Sequence, residues 1–193
     1  QYEGLELLPL TDLDWVIPAP QKQIFKGAYR TPSDLNISIE DLKMDLDFIQ
    51  TRLQEGLQIK VDTNKKFQSN VLITQNKTLD SEGYKLSILD ESIQIEAAAA
   101  VGAFYALESL HQILLIAQNE EKGWPLLKIE DKPRFHNRGF MGDVARNFYP
   151  KEKIFQILDY MALYKLNRFD LKLTDDDGWR IEIPGLPDLT EVG

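Results

Sequence analysis

Between Phe169 and Ile183 the apolar residues fall on alternate positions. Phe169, Leu171 and Leu173 come first, then Trp179, Ile181 and Ile183, with Asp170, Lys172, Thr174, Arg180 and Glu182 between them. A two-residue period is that of a strand with one buried face. The Asp177-Gly178 pair between the two runs predicts a hairpin. Three consecutive aspartates at its tip leave two readings open: a solvated turn, or the acidic rim of a site.

Upstream, both periods occur. The two prolines of "WVIPAPQKQIFKGAYR" predict an edge strand and a loop. Ser38 followed by Asp41 resembles a capping box for a helix carrying Leu42, Leu46, Ile49 and Leu53 on one face, with Gly56 at its C-terminal end. "LQIKV" and "NVLITQ" read as strands, and "YKLSIL" with "SIQIEA" as an antiparallel pair around Asp90 and Glu91. From Gly102 to Gln118 the residues Ala103, Ala106, Leu107, Leu110, Leu114 and Ala117 restore a helical period. The order predicts an α+β domain, an antiparallel sheet with helices on one side, over residues 1–134.

The pattern changes near Asp131 to Asn137. "GFMGDVAR" is a short apolar run, and Pro150 stands where a helix should begin. Ile154, Ile157, Leu158 and Met161 follow on one helical face, extended by the snorkelling stem of Lys165. "NRFDLKLT" is the next strand. Strand, helix and strand in this spacing predict a βα unit with parallel strands. Only 56 residues follow Asn137, whereas a closed eight-fold barrel takes about 250. Residues 135–193 are therefore expected to be the incomplete start of an α/β domain.

Composition narrows the chemistry. At 43% hydrophobic and 27% charged the 193 residues suffice for a true core. The net charge of −9 argues against nucleic acid and anionic membrane surfaces. It leaves neutral ligands open. Absence of cysteine excludes disulfides, thiolate nucleophiles and cysteine-based zinc sites. The longest unbroken apolar run, Ala97 to Leu107, is eleven residues, so no membrane span is expected. His111 borders a helix face and His136 lies in the linker. Without an H-E-x-x-H pattern or a glycine-rich phosphate loop, neither a metal nor a cofactor is expected.

Several ordered spellings are more specific. They are D-x-P-R-F (Asp131 to Phe135), R-G-x-x-x-D-x-x-R (Arg138 to Arg146) and M-A-x-x-K-L-N (Met161 to Asn167). L-T-D-D-x-G-W-R (Leu173 to Arg180) and P-x-L-T (Pro187 to Thr190) complete the series. Together they closely resemble the opening of the catalytic (β/α)8 TIM barrel of family-20 glycoside hydrolases, the β-N-acetylhexosaminidases and chitobiases. "VIPAPQ" and "GAFYALESLHQIL" look like parts of the α+β domain that precedes that barrel.

The resemblance implies an enzyme that removes terminal N-acetylhexosamine by substrate-assisted retaining hydrolysis. It assigns Arg146 to the hydroxyls of the terminal sugar, a task suited to a rigid fork of donors. A structural ion pair or a cap is the alternative for this residue. Asp175 falls on the same substrate-binding side, in a hydrogen-bonded network, with Asp176 supporting it. The general acid and its preceding aspartate belong to a later barrel strand, so no catalytic residue is assigned within these residues. "IEDK" and "LDES" read as solvated carboxylates of the first domain.

Departures from the family pattern are Asp170 and Lys172, where His-x-His is usual, and Asn147, where a histidine follows the arginine. By alternation Asp170 and Lys172 share a face and are expected to neutralise each other. The partner expected is a carbohydrate, and the compartment expected is periplasmic, cell-surface or extracellular. Self-association of the unfinished barrel is a further expectation. Alternatives are a non-catalytic carbohydrate-binding or scaffolding module and a structural interaction domain.

Overall fold

The computed structural model describes residues 15–63, 68–176 and 178–191. Asp177, at the tip of the expected hairpin, lies outside them. The chain divides into two compact units between Pro133 and Arg134.

The first unit contains β1 (Lys22–Arg30), β2 (Leu35–Glu40), α1 (Leu46–Gln54), β3 (Val61–Asp62) and β4 (Val71–Gln75). These are followed by β5 (Tyr84–Ile88), β6 (Ile93–Ala97), α2 (Ala100–Asn119) and β7 (Trp124–Asp131). Its seven strands form one sheet in the order β1-β7-β5-β6-β4-β2-β3. The expected antiparallel sheet is corrected to a mixed one. Pairs β1/β7, β5/β7 and β5/β6 are antiparallel, but β4/β6, β2/β4 and β2/β3 run parallel. Parallel neighbours need a crossover, and the segment carrying α1 supplies it between β2 and β4.

The expected capping box is corrected as well. Ser38 lies inside β2, and Asp41 breaks that strand with φ 60. The helix starts later, where the carboxylate of Asp45 accepts the Phe48 N–H at 3.0 Å. At the other end Gly56, with φ +73, stands where the C-terminal cap was expected.

Alternation places Leu35, Ile37, Val71, Ile73, Leu86, Ile88, Ile93 and Ile95 in one core with Ile49 and Leu53 of α1 and Leu110, Ile113 and Leu114 of α2. By length and composition α2 is apolar enough to cross a bilayer, although no unbroken apolar run is that long. In the fold its apolar positions form the centre of this core. His111 behaves as a core-edge residue, its Nε2 lying 2.7 Å from the Glu55 carbonyl oxygen.

The second unit contains β8 (Gly139–Asp143), α3 (Lys151–Leu163), β9 (Arg168–Lys172), β10 (Thr174–Asp175), β11 (Gly178–Trp179) and α4 (Asp188–Glu191). Strands β8 and β9 pair in parallel, from Gly139 opposite Arg168 to Asp143 opposite Lys172, with α3 connecting them. Pro150 is the residue before the helix, its carbonyl accepting from the Lys153 and Ile154 N–H groups at 2.9 and 3.3 Å. Lys165 does not extend the helix face. It lies beyond the helix end with φ 60 and is buried, and its carbonyl accepts from Arg138 Nε at 2.7 Å. The expected hairpin forms in miniature. Thr174 pairs with Trp179 and Asp175 with Gly178, while Ile181 to Ile183 leave the strand pairing.

Candidate functional site

Two short segments at the C-terminal ends of the parallel strands bring the predicted residues together. The first continues β8. The Val144 N–H bonds to the Lys172 carbonyl at 3.1 Å, so the chain leaves the strand only after that residue. Asp143, the last residue of β8, then folds the backbone back: its Oδ1 accepts the Arg146 N–H at 3.1 Å. Such a local carboxylate-to-backbone bond is what an aspartate offers at a turn. It fixes where the Arg146 side chain begins.

The second segment is the β10–β11 hairpin. Gly178 is buried, and a side-chain carbon there would lie 2.4 Å from the Ala145 carbonyl oxygen. Arg180 donates from Nε to the Val144 carbonyl and from Nη2 to the Ala145 carbonyl, both at 3.1 Å. Its guanidinium also lies 5.6 Å from the centre of the Phe148 ring. The hairpin is thereby fastened to the two residues that precede Arg146.

Arg146 Nη2 and Asp175 Oδ2 are 3.0 Å apart. Arg146 Nη1 lies 3.6 Å from Asp143 Oδ2. Lys172 Nζ contacts Asp175 Oδ2 directly and lies 3.8 Å from Asp143 Oδ2. The Asp176 N–H donates to Asp175 Oδ1 at 2.9 Å. Hydrogen bonding with the Asp176 side chain, then the Lys172 ammonium, then the Asp176 backbone N–H, holds the Asp175 carboxyl well below the usual carboxylate range. Partial burial opposes this, and the Arg146 charge adds to it.

Of the residues singled out in the sequence, Arg146, Asp175 and Asp176 meet. Asn147 is exposed. Asp170 and Lys172 do not neutralise each other as expected: Asp170 is exposed and Lys172 engages Asp143 and Asp175. The reason is position. Asp143 stands directly opposite Lys172 in the parallel register, and Asp175 lies just past the strand end.

Asp143 and Arg180 belong to the arrangement but were not singled out. The signal for Asp143 was present, since it is the aspartate of R-G-x-x-x-D-x-x-R, three residues before Arg146. Among the described residues no three His, Asp or Glu converge as metal ligands. With Asp143 and Asp175 ion-paired and Arg146 61% exposed, the arrangement offers hydrogen-bond donors to solvent above paired carboxylates. That suits a neutral polyhydroxylated ligand.

Both units have counterparts among known proteins. Residues 15–132 match the model for glycosyl hydrolase family 20, domain 2, and residues 135–193 that for glycosyl hydrolase family 20, catalytic domain. The N,N'-diacetylchitobiase of Vibrio harveyi is 53% identical over 113 residues, 58% of this chain and 13% of that protein. The β-hexosaminidase of Vibrio vulnificus is 34% identical over 180 residues, 92% of this chain and 20% of that protein. This chain thus spans a fifth or less of these curated relatives.

Among solved structures, the exo-β-N-acetylglucosaminidase of Vibrio harveyi in complex with N-acetylglucosamine has a TM-score of 0.79 at 34% identity. The match covers 95% of this chain and 29% of that one. The β-N-acetylhexosaminidase of Streptomyces coelicolor has a TM-score of 0.75 at 30% identity, covering 94% of this chain and 39% of that one. With both of its units matched in order, this chain belongs to glycosyl hydrolase family 20.

Proposed function

We propose that these residues are the domain-2 and leading catalytic-domain portion of an exo-acting β-N-acetylhexosaminidase. The enzyme would remove terminal N-acetylglucosamine or N-acetylgalactosamine from glycans or chitooligosaccharides by substrate-assisted retaining hydrolysis. In this reading β8, α3 and β9 are the first βα unit and second strand of a (β/α)8 barrel. The C-terminal ends of barrel strands are where such folds carry their chemistry. Arg146 binds hydroxyls of the terminal sugar, Asp175 orients it, and Asp176 supports Asp175. The general acid and the acetamido-orienting aspartate belong to a later barrel strand, so the share of these residues is substrate binding.

The observation that carries the reading is the 3.0 Å Arg146–Asp175 pair at the ends of two parallel strands, in a chain matched by both family-20 models. The test is steady-state kinetics of the full-length protein on a chromogenic N-acetyl-β-hexosaminide. Arg146→Ala is expected to lower kcat/KM by the equivalent of about 2–4 kcal/mol, as charge-assisted bonds to a bound sugar are lost. Unchanged kinetics would leave Arg146 a structural residue.

A second reading, a carbohydrate-binding module without turnover, is favoured by the Asp170 and Lys172 departures from the family pattern. Sugar binding without hydrolysis in the full-length protein would select it.

A further inference from the structure

The pair of Arg146 and Asp175 is half of a four-charge arrangement. Each of the two carboxylates ties one oxygen to a backbone N–H: Asp143 Oδ1 to that of Arg146, Asp175 Oδ1 to that of Asp176. Each turns its other oxygen toward both cations. Asp175 Oδ2 meets Arg146 Nη2 and Lys172 Nζ. Asp143 Oδ2 lies 3.6 Å from Arg146 Nη1 and 3.8 Å from Lys172 Nζ. Two negative and two positive charges alternate around the arrangement. Lys172 is the inner cation at 33% exposure and Arg146 the outer at 61%.

We propose that Lys172 is a positioning residue for the sugar site: it shares both carboxylates, so that Arg146 keeps outward donors for a neutral sugar. The role rests on the sugar-binding reading of Arg146. Without the ammonium, two carboxylates would face one guanidinium. Arg146 would be drawn further inward, tightening its 3.6 Å approach to Asp143 into a direct bond beside the one it makes to Asp175, the paired geometry that carboxylates favour with arginine. Fewer of its five N–H donors would then be left for the ligand. Lys172 suits the inner place because it ends a hydrogen-bonded strand and its compact ammonium has no planar preference.

A histidine in place of Lys172 would ordinarily titrate near neutral pH. The charged groups facing it are Asp143 from β8, Arg146 from the loop after β8, Asp175 from β10, and Asp176 in the following turn. Asp170 precedes it on its own strand.

Three variants of the full-length protein test this. Lys172→Met is expected to raise KM about tenfold with kcat changed by about threefold or less, the split for a lost ground-state contact. Lys172→Arg is expected to recover most of the affinity. Lys172→His is expected to behave like the parent near about pH 5.5 and like Lys172→Met near about pH 8.

A second measurement is independent of catalysis. In the 193-residue chain, carbon-13 NMR titration of the Asp175 carboxyl, assigned with Asp175→Asn, is expected to show its midpoint rising in Lys172→Met. An unchanged midpoint, a KM within about twofold of the parent in Lys172→Met, or a Lys172→His profile parallel to the parent's would overturn the role. A full-length protein that neither binds nor cleaves an N-acetylhexosamine would overturn the sugar-binding reading and this role with it, whatever the midpoint.

Discussion

Gly178 stands so close to Ala145 that a side-chain carbon on it would lie 2.4 Å from the Ala145 carbonyl oxygen. The glycine after the acidic run is thus required by packing. It lets the hairpin press against the backbone just ahead of Arg146, where Arg180 then binds the Val144 and Ala145 carbonyls. The turn and the loop that carries Arg146 are one mechanical unit.

Gly178→Ala is therefore expected to force the two backbones apart. The expected loss is about 1–3 kcal/mol, the usual cost of overpacking a tight site, and it should fall on the second unit. Urea titration followed at the Trp179 indole resonance reports that unit separately from the first. A midpoint equal to the parent's would mean that the hairpin shifts without strain.

In the first unit, Glu108 on α2 is 1% exposed and receives Arg52 of α1 at 2.8 Å (Nε to Oε1) and 3.2 Å (Nη2 to Oε2). Removing one member of a buried pair leaves the other uncompensated, which costs about 3–5 kcal/mol. Arg52 also reaches the exposed Glu55, so Glu108→Ala is expected near about 3 kcal/mol, at the lower end of that range. The double replacement Arg52→Met with Glu108→Leu is expected to cost less than the single one. Chemical denaturation of the three variants checks the order, and a double variant worse than Glu108→Ala would contradict it.

Asp175 sets an expectation for pH. Its carboxyl is held below the usual range by Asp176, Lys172 and Arg146. A carboxylate depressed by folding contributes stability that is complete above its unfolded value, about 3.9. That contribution declines as the pH falls from the unfolded value toward the lower folded one, and is gone below it. The stability difference between the parent and Asp175→Asn should therefore be constant from about pH 5 upward and shrink only in stronger acid. A difference that declines between about pH 5 and 7 would show that Asp175 is not held in this way.

The grouping of three polar residues was more legible in the sequence than the sheet was, and the reasons are local. Arg146, Asp175 and Asp176 sit in motifs whose spacing is short, so strand ends and turns bring them together without long-range information. Strand β2 was concealed because "LNISIE" ends in residues that also spell a capping box, and tertiary pairing with β4 overrode that local signal. Strand β7 contains Pro125, which argues against an interior strand. Its pairing with β5 begins only at Leu127, however, and Pro125 lies opposite Tyr29 next to the register shift of β1. The proline costs no hydrogen bond to β5 there. With β2 unrecognised, the parallel half of the sheet could not be inferred. The Lys172 pairing was illegible for another reason: the alternation rule placed Asp170 and Lys172 on one face but could not say that Asp143 stands across the register.

The second unit is expected to make the 193-residue chain self-associate when prepared alone. Among the described residues β8 and β9 pair only with each other, so each presents one open edge. A two-stranded sheet is marginal by itself, and open edges are templates for pairing with another copy. Apolar side chains are exposed beside those edges and on α3: Met141 is 57% and Tyr160 60% exposed, with Phe140 and Phe155 also in solvent. Exposed apolar area of this kind favours association. The first unit has its own buried core, and its folding does not depend on that contact. Multi-angle light scattering is expected to show mass rising with concentration, and hydrogen exchange to show β8 and β9 amides exchanging faster than those of β5 and β6 in dilute samples. Charged substitutions at Met141 and Tyr160 should reduce the association without altering protection in β5 and β6. A chain that stays monomeric at high concentration, with β8 and β9 protected as strongly as the central strands, would mean that the two-stranded sheet is stable as it stands.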